Sequence, residues 1–118
     1  SFKYKKINTG LSNLTDLMNR LKEKELIAKD TGLATFRKVF SGEAIDQQVV
    51  WTGNISELSY FVRQLHNELK FVEYLKQEQW AVTINCFVDA NGEKYKREKL
   101  RGQKAPASSN IYILILNH

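Results

Sequence analysis

The sequence predicts a mainly α-helical domain with a few short β-strands, and three observations carry that expectation. A small polar residue, then an acidic or amide residue, then apolar residues at helical spacing occur together three times. The copies are Ser12-Asn13-Leu14-Thr15-Asp16-Leu17-Met18, Ser56-Glu57-Leu58-Ser59-Tyr60-Phe61-Val62 and Ser109-Asn110-Ile111-Tyr112-Ile113-Leu114-Ile115. A second shared segment follows each of the first two: Leu33-Ala34 with Val39-Phe40, and Trp80-Ala81 with Cys86-Phe87. Self-similarity of this kind marks repeated units that cannot hide their apolar stripes alone. Finally, 118 residues with 42% hydrophobic and 26% charged content suit one ordinary core. The expectation is a single compact domain, 1–118, of two degenerate helix–helix units plus a C-terminal helix.

Along the chain, Phe2 and Tyr4 alternate with Lys3 and Lys5, a weak period-2 pattern for a short strand or extended arm. Ser12 or Asn13 can cap a first helix over 13–28, whose Leu14, Leu17, Met18 and Leu21 share one face. Leu33, Phe36, Val39 and Phe40 give a second helix closed by Ser41-Gly42. Ile45 through Trp51 is β-rich. Asn54 and Glu57, three apart, form a capping box that opens a third helix. Its apolar face is Leu58, Phe61, Val62 and Leu65, with Phe71 and Val72 as an extension.

Residues 80–97 support two readings. Alternation from Trp80 to Val88, with Asn91-Gly92 as a turn, gives a β-hairpin and an α+β fold with a hairpin at 81–97. Helical spacing of Trp80, Ile84, Phe87 and Val88, with the match to Leu33–Phe40, gives a helix stopped at Gly92 as the second is at Gly42. The helix is preferred because two patterns agree. From Gly92 to Ser108 the chain is polar, basic and broken by Pro106, which reads as a loop or irregular extension. Ile111–Leu116 is strand by propensity but helix by the repeat, and the repeat is preferred.

The chemistry-bearing residues are sparse. His66 and His118 are the only histidines, without the spacing of a zinc site, and His66 reads as a surface or partly packed side chain. Cys86 has no local base and apolar neighbours, so it reads as a buried thiol in a reducing compartment. Asp89-Ala90-Asn91-Gly92 lacks the remaining ligands of a calcium loop. No phosphate loop or nucleophile motif occurs, so an enzyme, a metal or a cofactor is not expected. Trp51 and Trp80 read as core or inter-helix anchors.

Charge is the one positive signal. The formal net charge is +5, yet residues 1–12 carry a net +3 and residues 93–104 a net +4, leaving −2 for everything else. Lys94, Lys96, Arg97, Lys99, Arg101 and Lys104, with Lys3, Lys5 and Lys6, are the candidate nucleic-acid-binding residues. Lysine and arginine can neutralise phosphates, Tyr95 can stack and Gln103 can hydrogen-bond. The bland alternative is a 92–108 loop that is polar only to stay solvated.

The stretch Trp51-Thr52-Gly53-Asn54-Ile55-Ser56-Glu57-Leu58, followed by Phe61-Val62 and Leu65-His66, resembles proteins of Bacteroidetes conjugative and mobile elements. It is most similar to the C-terminal region of RteC-type regulators of tetracycline-inducible transposons, where a Trp-Thr dipeptide precedes a helix ending in Leu-His. Uncharacterised relatives with a following Cys-Phe and a Gly-containing turn, like Cys86-Phe87 and Gly92, are also similar. The resemblance implies a cytoplasmic regulatory or nucleic-acid-associated role and carries over no catalytic residue.

Together these readings give a non-enzymatic regulatory module of a mobile genetic element with DNA as its partner. The alternative is a protein–protein interaction domain, or one that self-associates, with a solvated basic loop. Ser1 in place of Met points to the C-terminal part of a longer protein. No apolar run reaches the roughly 20 residues of a membrane span.

Overall fold

The computed structural model describes residues 1–2, 11–67 and 78–104. Helix α1 (Leu11–Glu23) and helix α2 (Leu33–Val39) form the first unit, followed by strand β1 (Val49–Val50). Helix α3 (Ile55–Asn67) and helix α4 (Glu78–Cys86) form the second, followed by strand β2 (Phe87–Val88) and helix α5 (Arg97–Arg101). The fold is thus mainly α with a few short strands, and it is compact, with a Cα radius of gyration of 12.9 Å.

The two helix starts that resemble each other in sequence also bury equivalent positions. Leu14, Leu17, Met18 and Leu21 of α1 are buried, as are Leu58, Phe61, Val62 and Leu65 of α3. Phe36, Val39 and Phe40 at α2 correspond to Thr83, Cys86 and Phe87 at α4, and all six are buried. These faces meet in one hydrophobic cluster that also takes in Phe2, Trp51, Trp80 and Leu100. The third copy of the pattern, 109–116, lies outside the described residues, as do Phe71 and Val72.

Helix α1 ends five residues before the expected 28, and it starts before its expected caps, so Ser12 and Asn13 lie inside the helix. Its end is a left-handed stop. Glu25 has φ 59°, the Leu26 amide donates to the Leu21 carbonyl at 2.9 Å, and the Glu25 amide donates to Lys22 at 3.0 Å. That is the Schellman arrangement, and Leu21 and Leu26 are both buried in the core. Sequence misses it because glycine usually fills that position and here glutamate does. The stop frees Leu26 and Ile27 to turn into the sheet region, where both are buried.

β1 and β2 pair in parallel, Val49 opposite Phe87 and Val50 opposite Val88. Ile27 bridges Trp51 in antiparallel sense on one side, and Lys94 bridges Val88 on the other. The hairpin reading of 81–97 therefore fails over 81–86, which is helix, and survives only as a tight turn from Val88 to Lys94. There the Gly92 amide donates to the Asp89 carbonyl at 2.9 Å, and Gly92 has φ 79°. Gly92 is a turn glycine rather than the stop of α4. The inward face of α4 also differs from expectation: Thr83 is fully buried, while Ile84 is only partly so. The Thr83 hydroxyl donates to the Gln79 carbonyl one turn back at 2.6 Å, so its burial leaves no unpaired donor.

The entrance to α3 is held by reciprocal hydrogen bonds and close packing. The Asn54 amide donates to Glu57 Oε1 at 2.9 Å, and the Glu57 amide donates to Asn54 Oδ1 at 2.9 Å, the reciprocal capping box. Trp51 is fully buried, donates through Nε1 to the Asn54 carbonyl at 3.0 Å, stacks on Phe61 at 5.5 Å and meets Phe87 edge-on at 5.9 Å. Gly53 sits between them. A Cβ there would lie 2.8 Å from Leu26 Cδ2, 2.9 Å from Glu57 Oε1 and 3.0 Å from Trp51 Nε1. Gly53→Ala is expected to cost about 1–3 kcal/mol by overpacking, read as a lowered urea midpoint with unchanged slope.

Candidate nucleic-acid interface

The basic segment is not a loop throughout. Residues Arg97–Arg101 form α5, which packs against α3 and α4. A five-residue helix is too short to stand alone, and three contacts hold it. Leu100 is fully buried. The buried Ser59 hydroxyl donates to the Leu100 carbonyl at 2.7 Å, and Arg63 Nη2 donates to the Arg101 carbonyl at 2.7 Å. The expectation of an irregular extension fails here because it weighed local composition, whereas these partners lie about forty positions away along the chain.

The anchoring divides the segment into two faces. Leu100 and Tyr95 turn inward, and Tyr95 packs against the core with its phenol pushed up to about 12 by burial and by the Asp89 carboxylate. Tyr95 is therefore an anchor rather than a free stacking surface. Lys94, Lys96, Arg97, Lys99, Arg101 and Lys104 are all exposed. The Gln103 side-chain amide already donates to the Lys99 carbonyl at 3.1 Å, which leaves its oxygen as the free acceptor. Lys3, Lys5 and Lys6 lie outside the described residues.

Sequence reading missed Arg63 and the role of Trp80. The Arg63 guanidinium lies over the Trp80 ring, 5.3 Å from its centroid. Trp80, Arg97, Glu98 and Arg101 line a cleft of about 160 Å³ at the α4–α5 junction. No local signal marks Arg63, because what it caps is 38 positions downstream.

The other candidate groups are built into the structure. The Cys86 thiol is buried and pushed up to about 11, chiefly by desolvation. It stays protonated at neutral pH and is a poor nucleophile. Asp89 Oδ1 accepts from the Asn91 and Glu93 amides at 2.8 and 2.9 Å, so it shapes the turn. Among the described residues no group of three or more His, Cys, Asp or Glu is placed to hold a metal. No helix among them is long and apolar enough to cross a membrane.

His66 is more deeply packed than its sequence setting suggests, only 5% exposed. Its Nδ1 pairs with the Val62 carbonyl at 2.8 Å, and the ring meets Phe2 edge-on at 5.6 Å. Burial holds its pKa below the usual 6.5, against a smaller opposing pull from the Val62 carbonyl. The unfolded chain thus takes up the proton first. Stability should fall as pH drops below about 6.5 and level off below the folded value. His66→Gln should flatten that dependence in melts between pH 5 and 7.

Comparison with protein-family models, with curated proteins and with solved structures returned no match.

Proposed function

We propose that the chain is a non-enzymatic, nucleic-acid-associated regulatory module whose 94–104 face contacts the phosphates of duplex DNA. The observation that supports it is the split of that segment: Leu100 and Tyr95 inward, six cations outward, on a backbone tied to α3 and α4. A merely solvating loop needs no such anchoring, whereas phosphate contacts gain from cations on a fixed platform. The similarity of residues 51–66 to RteC-type regulators points toward a mobile-element setting. Within that stretch, Trp51, Gly53, Asn54 and Glu57 build the entrance to α3. A regulator of this kind would work in a reducing cytoplasm.

The direct test is fluorescence anisotropy of a short labelled duplex at low salt. Saturable binding that weakens as salt rises is the expected result. Absence of binding to duplex and single strand alike would overturn the proposal in favour of a protein-interaction domain, whose basic face would meet an acidic partner or a second copy.

A further inference from the structure

The cleft beside Trp80 concentrates guanidinium groups in a way the rest of the basic face does not. Arg97 and Arg101 are four residues apart on α5 and so project from one side of it. Both line the 160 Å³ cleft. Among the described residues neither has a carboxylate in ion-pair contact, although Glu98 lines the same cleft. Arg63 adds a third guanidinium beside Trp80.

The size of the cleft limits its occupant. Pockets for whole small molecules run to about 300–1,000 Å³, so this one takes a group rather than a ligand. Trp80 is only 4% exposed and lies under Arg63, so its ring is a floor and not a stacking surface for a base. What remains is a small anion-accepting recess with two exposed planar forks at its rim.

We infer that this cleft is a phosphate clamp, in which Arg97 and Arg101 grip a single backbone phosphate and set the register of the nucleic acid on α5. The inference rests on the nucleic-acid reading above and deepens it. The guanidinium fork matches two phosphate oxygens at once, whereas an ammonium acts as a point charge. Lys94, Lys96, Lys99 and Lys104 supply the diffuse attraction around the clamp, and the Glu98 carboxylate opposes the phosphate.

The test keeps the charge and removes the forks, by combining Arg97→Lys with Arg101→Lys. Duplex affinity should fall at least about tenfold, the worth of one charge-assisted hydrogen bond, with the salt slope and the melting temperature unchanged. Glu98→Gln should tighten binding. Affinity within about twofold of wild type in the double lysine variant would overturn the clamp, yet would leave the basic face as a phosphate-binding surface. Should the wild-type protein bind no duplex, the nucleic-acid reading falls, and inorganic phosphate becomes the probe. A shift of the Trp80 indole N–H resonance that disappears in the double lysine variant would then uphold a phosphate site. No shift would overturn it.

Discussion

Trp51→Ala is expected to lower the unfolding free energy by about 3–5 kcal/mol, the range for removing a buried aromatic side chain from a core. The value should fall high in that range, because Trp51 is tied to its surroundings in several ways. Its ring stacks on Phe61 from α3 and meets Phe87 from β2, and its Nε1 donates to the Asn54 carbonyl beside the capping box. Its backbone amide donates to the Val88 carbonyl at 2.8 Å, and it bridges Ile27. A domain of this size has roughly 5–15 kcal/mol in total, so the alanine variant could unfold outright. Trp51→Phe keeps an aromatic ring and removes the indole donor, and is expected to lose about 1–3 kcal/mol with the fold retained. Urea unfolding of both variants checks the claim. A loss under about 1 kcal/mol for Trp51→Ala would mean that Trp51 is not the hub joining the two units.

The second large effect concerns binding. Replacing Lys96, Arg97 and Arg101 together by Gln should weaken duplex binding at least about 10³-fold at low salt, as three charge-assisted contacts are lost. The melting temperature should hardly move, since exposed substitutions change stability by about 0.5 kcal/mol or less. The ties that hold α5 survive these changes, because Arg63 and Ser59 donate to main-chain carbonyls that any side chain leaves in place. A collapsed melting temperature would show instead that these side chains hold the domain together.

Comparing the two units shows what a sequence exposes. The equivalence of Leu14–Leu21 with Leu58–Leu65 was legible because burial on a helix follows a 3.6-residue period whatever the helix packs against. The Asn54–Glu57 box was legible because both partners lie within one turn. The end of α1 was not, since Glu25 adopts a conformation normally left to glycine. The inner face of α4 was half legible, because Thr83 is polar by composition and apolar in effect once the Gln79 carbonyl accepts its hydrogen bond. The candidate interface divides in the same way. Its cations could be counted from composition and are exposed, but the helix that carries them depends on Ser59 and Arg63, whose partners are remote in sequence. Trp80 shows the same limit: its burial was expected, while its place as the floor of a guanidinium-lined cleft needed α4 and α5 in contact.

The most direct test of the interface is the salt dependence of duplex binding, measured for the wild-type protein and the triple glutamine variant between about 50 and 200 mM salt. If Lys94, Lys96, Lys99 and Lys104 each meet a phosphate while Arg97 and Arg101 share one, the log–log slope of the wild type should be about −4.5, and that of the variant smaller in magnitude by about two. A flat wild-type slope, or equal slopes for the two proteins, would contradict the account and leave α5 as a solvated helix.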